Sequence, residues 1–200
     1  MADYIFLFDL DSTITKQEIL PSISKKIGKE KEMRDLTEAT MQGILPFKES
    51  FLKRVKILSE ISVKEINDFV SEIPLNPSIA NFIKENHERC YVVTGNLDVW
   101  ISGLMDKLNM RGHYFCSRAV TENDKIAKVI SVLDKNLTVQ QFVQPLVCIG
   151  DGDNDADMAL LSDIAIGFGG VRKIAPSLMQ NIDYAFVDDD RCAAFLKQLL

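Results

Sequence analysis

Two aspartates, Asp9 and Asp11, close an apolar run from Ile5 to Phe8 and are followed at once by Ser12 and Thr13. Carboxylates set against a hydrophobic strand are costly unless a cation or a proton compensates them. A second acidic turn, Gly150-Asp151-Gly-Asp-Asn154-Asp155, follows another apolar run, Leu146 to Ile149. Between them lie Thr94-Gly95, after Cys90 to Val93, and Lys125, after Thr121-Glu-Asn-Asp124. Four or more carboxylates at one place cannot all ionise without a cation. With only oxygen ligands offered, and no usable His or Cys, a hard ion is selected, most simply Mg²⁺. A hydroxyl, a glycine amide and an ammonium beside it suit an oxyanion, and phosphate matches best. One aspartate could then attack phosphorus while the other protonates the leaving oxygen.

Each piece has a plainer reading. Asp9 and Asp11 could cap a helix. Thr94-Gly95 could be only a tight turn, and Lys125 a surface helix residue. The glycine-aspartate turn could hold Ca²⁺, although it lacks the length and closing Glu of an EF-hand loop. The positions of these groups, each just after a strand or at a helix start, favour a shared site.

The elements between them follow from periodicity. Strands are expected at Ile5 to Phe8, Cys90 to Val93, Tyr114 to Cys116, Leu146 to Ile149, Ile164 to Ile166 and Tyr184 to Val187. Helices are expected over 18–27, 31–42, 47–58, 63–72, 79–85, 98–108, 125–133, 156–161 and 191–199. Alternation of strands and helices predicts a doubly wound parallel sheet with its strand carboxyl ends on one edge. The all-helical stretch after the first strand interrupts that alternation and is read as a cap over the ligand edge. The expected division is an α/β core from 1–14 and 77–200 and a helical cap subdomain over 15–76.

The composition narrows the classes further. The 200 residues are 46% hydrophobic, enough for one sizeable core. A net charge of −6 and a pI near 5.0 argue against nucleic-acid and anionic-membrane partners. Four scattered cysteines without CxxC spacing read as buried free thiols in a reducing compartment. No apolar run reaches membrane-spanning length and no secretory signal is visible, so a cytoplasmic location is expected. His87 and His113 have no partner at metal-ligand spacing. Oligomeric state is not legible.

Over nearly its whole length the chain resembles the haloacid dehalogenase (HAD) superfamily of phosphohydrolases. Phe8-Asp9-Leu-Asp11-Ser-Thr is similar to its first motif, Val92-Val-Thr94-Gly95 to its second, Lys125 to its third and Gly150 to Asp155 to its fourth. The resemblance implies a Rossmann-like core, with Asp9 as nucleophile and Asp11 as general acid and base. It implies that Thr94, Gly95, Lys125 and Asn154 hold phosphate. Mg²⁺ would be bound by Asp9, the backbone carbonyl of Asp11 and Asp151, with Asp155 supporting its shell.

Within the superfamily the helical stretch is most similar to the phosphoserine phosphatases. By that resemblance Glu18 faces a substrate ammonium, Arg54 clamps a substrate carboxylate, and Met41 and Phe47 cover the ligand. The implied substrate is a small phosphorylated metabolite, O-phospho-L-serine, hydrolysed as in serine biosynthesis. Another small phosphomonoester, or transfer of the phosphoryl group to an alcohol, is the alternative. The chain departs from the family in Thr94 for the usual serine, Asn96 for a common glycine, and Gly167-Phe-Gly-Gly-Val171. The span from Thr94 to Lys125 is also short, and no extra strand pair is expected there.

Overall fold

The computed structural model describes residues 3–200. Seven strands form one sheet: β1 (Ile5–Phe8), β2 (Cys90–Leu97), β3 (Tyr114–Glu122), β4 (Lys125–Ser131), β5 (Leu146–Gly150), β6 (Ile164–Phe168) and β7 (Tyr184–Phe186). Their order is β4-β3-β2-β1-β5-β6-β7. Every pairing is parallel except β3 with β4. The helices are α1 (Ile19–Ser24), α2 (Glu30–Met41), α3 (Phe47–Leu58), α4 (Val63–Ser71), α5 (Pro77–Glu85), α6 (Asp98–Lys107), α7 (Lys135–Val139), α8 (Ala156–Leu160), α9 (Pro176–Met179) and α10 (Asp189–Lys197).

β1 is central and buried on both faces, as its unbroken apolar run requires. Phe6 and Phe8 point to one side, against Phe82 of α5, with the Phe6 and Phe82 rings edge to face at 5.1 Å. Leu7 points to the other, into a cluster with Val93, Cys148 and Met158. From β1 the chain winds outward to β2 on one side and to β5 on the other. The crevice outside the carboxyl ends of such diverging strands is where open α/β sheets bind ligands. Asp9 and Asp151 leave strands at that edge and Thr94 lies within β2 beside them, and the Asp9 N–H donates to the Ile149 carbonyl at 2.8 Å.

The helical insert leaves and rejoins the sheet at one point. Thr15 pairs with Leu75, the Lys16 N–H donates to the Pro74 carbonyl at 2.7 Å, and the Asn76 N–H donates to the Ile14 carbonyl at 2.9 Å. Its last helix, α4, lies along α6, where Gly103 leaves room for Ser71 and Asn67. Asn67 Nδ2 donates to the Val99 carbonyl and to Ser102 Oγ, fixing that contact.

One expected element is of the wrong type. Residues 125–131 form strand β4, not the start of a helix, and pair antiparallel with β3. The cause is local. Asn123 and Asp124 take φ of +49° and +60° at the turn. Such a turn, two residues both at positive φ, joins antiparallel strands, and Asn and Asp tolerate it. The β-branched Ile126, Val129 and Ile130 then favour extended backbone. The stretch between Thr94 and Lys135 therefore carries a strand pair that its short length does not predict. The cysteines are free, with Cys90, Cys148 and Cys192 buried and Cys116 half-buried. His113 stacks on Tyr91, near the amino-terminal end of β2, away from the ligand edge.

Candidate active site

The turn after β1 is tightly wound, and Ser12 within it sits at φ +62°, a conformation costly for a residue with a side chain. The Ser12 N–H donates to Thr15 Oγ1 at 3.0 Å, which holds the turn. Asp9 thereby faces the β5 turn, while Asp11 swings toward the insert, where its Oδ1 accepts the Ile19 N–H at 2.9 Å. The two aspartates share a turn and serve opposite sides of one cleft.

Asp9, Asp151 and Asp155 each bring a carboxylate oxygen within 4.8 Å of the others, and all three are buried. Thr13 Oγ1 donates to Asp151 Oδ1 at 3.4 Å. Asp155 Oδ2 accepts the N–H groups of Asp151 and Gly152 at 3.0 and 2.8 Å. Asp155 thus ties the β5 turn together with one oxygen. Its other oxygen faces an ammonium that belongs to Lys135, not Lys125.

Lys135 is the correction at this site. It is buried at the first turn of α7, and its Nζ donates to Asp9 Oδ1 and, at 2.5 Å, to Asp155 Oδ1. Lys125 is exposed, at the head of β4 opposite Glu122, and lines no part of the cleft. With 125–131 in a strand, the polar group expected at a helix start moves on to the next helix. Asp134 caps that helix, accepting the Leu137 N–H at 3.2 Å, and this cap was the signal that could have found Lys135.

A second basic residue was missed altogether. Arg172, in the loop after β6, donates from Nε to Asp151 Oδ2 and from Nη1 to Glu18 Oε1, the latter at 2.5 Å. It links the metal-type carboxylates of the sheet edge to the insert. The departure at Gly167 to Val171 marked this loop as unusual without pointing to the arginine that follows.

The remaining expected residues line one cleft. Asp9, Asp11, Thr94, Gly95 and Asn154 come from the sheet edge, and Glu18, Met41, Phe47 and Arg54 from the insert. Phe47, Phe51 and Arg54 share one face of α3, with the two rings stacked at 5.7 Å and the guanidinium over Phe47 at 5.8 Å. A Cβ on Gly95 would collide with the Phe47 ring, so glycine there lets the insert close onto β2. Arg54 is 8% exposed, its Nε has no hydrogen-bond partner, and among the described residues it forms no ion pair. Asp11 and Glu18 offset its burial only at a distance, and a buried cation without a direct partner is expensive.

Burial governs the titration of the site. It raises Asp9 to about 7, against the pull of Lys135 and with a push from Asp155. It raises Asp11 to about 6, against Arg172 and the Ile19 N–H. Asp151 is likewise raised well above the usual carboxylate range by burial, despite Arg172. Burial works against the Lys135 ammonium, but Asp155 and Asp9 outweigh it and hold its pKa above that of an ordinary lysine. Burial lowers Arg54 to about 10.

The carboxylates Asp9, Asp11, Glu18, Asp151 and Asp155 face the cations Lys135, Arg54 and Arg172, an excess of two negative charges that a divalent cation would balance. The donor set is entirely oxygen, which fits a hard ion such as Mg²⁺. The raised carboxylates set a pH prediction. Between the ordinary value of 3.8 and about 7, the folded chain binds more protons at Asp9 and Asp11 than the unfolded chain. Stability without metal therefore falls as pH rises through that window. Thermal melts in EDTA should give a lower Tm at pH 8 than at pH 5.5, and added Mg²⁺ should recover most of the difference. A flat profile in EDTA would contradict the assignment.

Comparison with known proteins agrees with this geometry. The chain is 26% identical over 179 residues to a phosphoserine phosphatase of Methanocaldococcus jannaschii, covering 82% of this chain and 84% of that one. It is 26% identical over 194 residues to a phosphoserine phosphatase of Lactococcus lactis, covering 90% and 89%. A solved substrate-bound phosphoserine phosphatase complex superposes with a TM-score of 0.81 at 25% identity, covering 98% of this chain and 97% of that one. Residues 6–160 match the haloacid dehalogenase-like hydrolases, a span that runs from β1 through the β5 turn and includes the whole helical insert. The chain belongs to that family.

Proposed function

We propose that this chain is a Mg²⁺-dependent phosphomonoesterase that hydrolyses O-phospho-L-serine through an aspartyl-phosphate on Asp9. The observation that carries the reading is Arg54, a buried guanidinium whose Nε has no hydrogen-bond partner and which pairs directly with no carboxylate among the described residues, lining the same cleft as Asp9 and Asp11. A substrate carboxylate supplies what Arg54 lacks, in the bidentate geometry a guanidinium favours. The relatives' names point to the same substrate.

The ion, bound by Asp9, Asp151 and the Asp11 carbonyl with Asp155 behind them, would supply positive charge for the phosphoryl oxygens. The chain's own groups do the rest. An Asp9 carboxylate oxygen bonds to phosphorus as the bond to the serine oxygen breaks. Asp11, a carboxyl whose protonated form burial favours, gives that oxygen its proton. Water then attacks phosphorus, Asp11 takes its proton, and phosphate departs from Asp9. Lys135 keeps Asp9 oriented throughout. Thr94, the Gly95 N–H and Asn154 receive the phosphoryl oxygens. Glu18 takes the ammonium, and Met41 and Phe47 exclude water, the 15–76 segment acting as a cap.

A panel of phosphomonoesters with Mg²⁺ tests the substrate. If phosphoserine is turned over no faster than phosphocholine or a sugar phosphate, the reading fails. Arg54→Ala should lower kcat/KM for phosphoserine by roughly 10²- to 10³-fold. The same change should barely affect p-nitrophenyl phosphate, which has no carboxylate to clamp. One observation favours a second reading. Glu18 already receives Arg172, which leaves it less able to take an ammonium. The same chemistry on an acidic phosphomonoester without an amine would then win the panel, and phosphate retained on an added alcohol would mark a transferase.

A further inference from the structure

Asn96 is a second departure at the ligand edge, and the proposed chemistry leaves it without a role. It lies in β2, where the pairing with β3 slips between Thr94 and Leu97, so that Gly95 and Asn96 form a bulge. Bulges beside active sites re-aim side chains. Ser117 Oγ fixes this one by donating to the Gly95 carbonyl at 2.7 Å. The result is that Asn96 folds back on Thr94. Its backbone N–H donates to Thr94 Oγ1 at 3.2 Å, and its Nδ2 donates to the same oxygen at 3.1 Å.

A threonine hydroxyl has two acceptor sites and one proton. Asn96 fills both acceptor sites, so the proton is what Thr94 has left to offer. Thr94 and Asn96 both line the cleft, and both are at least nine-tenths buried. The opposite end of the Asn96 amide, Oδ1, is buried without a donor. In this arrangement the amide donates to Thr94 and its oxygen is the end left unpaired. Were the amide reversed, the Thr94 proton would be drawn to Oδ1 and lost to a ligand.

We propose that Asn96 is a positioning residue that commits the Thr94 hydroxyl to donate into the cleft, toward a phosphoryl oxygen. The inference rests on Thr94 as a phosphoryl ligand and is independent of whether the substrate is phosphoserine. A double-mutant cycle tests it, using Asn96→Ala, Thr94→Val and the pair. The readouts are kcat/KM on p-nitrophenyl phosphate with Mg²⁺ and the affinity for inorganic phosphate by calorimetry.

In the parent background Asn96→Ala should lower both by about tenfold, the scale of one hydrogen bond. In the Thr94→Val background it should change them by less than about twofold, because its effect passes through the hydroxyl. Losses that multiply would overturn the proposal, since they would mean that Asn96 acts on its own or only fills the bulge. Asn96→Asp adds an acceptor facing the hydroxyl and should lose more in the parent than in the Thr94→Val background. Equal losses would also overturn it. Thr94→Ala and Asn96→Ser replace any variant whose circular dichroism shows misfolding. If Thr94→Val alone leaves phosphate affinity unchanged, the proposal falls with the Thr94 assignment, while the substrate panel still judges the phosphoserine reading.

Discussion

Replacing Lys135 by Met should abolish turnover and destabilise the chain, while Lys125→Met should do neither. Lys135 is buried between Asp9 and Asp155 and forms an ion pair with each. Removing one partner of a buried ion pair typically costs about 3–5 kcal/mol, because the other charge is left uncompensated. The stranded carboxylates can escape by taking up protons. The loss should therefore be largest near pH 8 and smaller near pH 5.5, as urea denaturation at the two values would show. Turnover should fall by at least about 10³-fold, since a fixed charge beside the nucleophile is gone. Lys125 stands exposed at the hairpin, where substitutions usually stay within about 0.5 kcal/mol. A loss of activity in Lys125→Met, with Lys135→Met active, would give the site lysine back to position 125.

The second large effect is at Asp9. Asp9→Asn keeps the shape and removes the charge of the oxygen we propose attacks phosphorus. Turnover should drop on the order of 10⁵-fold, as when a covalent nucleophile is deleted. Circular dichroism should remain that of the parent. A brief reaction with radiolabelled phosphomonoester, quenched in acid, should leave label on the parent chain and none on the variant. Label on Asp9→Asn would place the covalent intermediate elsewhere or remove it from the mechanism.

How much of this was legible before the structure differs by element. β1 and β5 were clear because strands buried on both faces appear as unbroken apolar runs with turn residues at their ends. Asp9, Asp11, Asp151, Glu18 and Arg54 were found for that reason or by their motifs, and all five belong to the cleft or to the carboxylate cluster behind it. Lys125 was misplaced because a lysine is identified by the element that carries it, and that element was read as a helix. The positive φ of Asn123 and Asp124, which makes the hairpin, is a property of two polar residues that also begin helices. Arg172 was invisible for a different reason. Its partners, Asp151 and Glu18, are 21 and 154 residues away in the chain, and no local pattern marks such a meeting. The role given to Asn96 depends on a slipped register between β2 and β3, which periodicity does not encode.

The neck at Thr15 and Leu75 has a consequence for how such chains diversify. To the sheet, the insert is a closed loop whose two ends already touch. The entropic cost of closing a loop rises only with the logarithm of its length, by about 0.6 kcal/mol for each doubling. Lengthening, trimming or reshaping the helices between those ends barely taxes the strands that carry the aspartates. Selection can therefore rework the insert's side of the cleft while the aspartates of the sheet edge stay where they are. In this architecture, changing what is hydrolysed is thermodynamically easier than changing how.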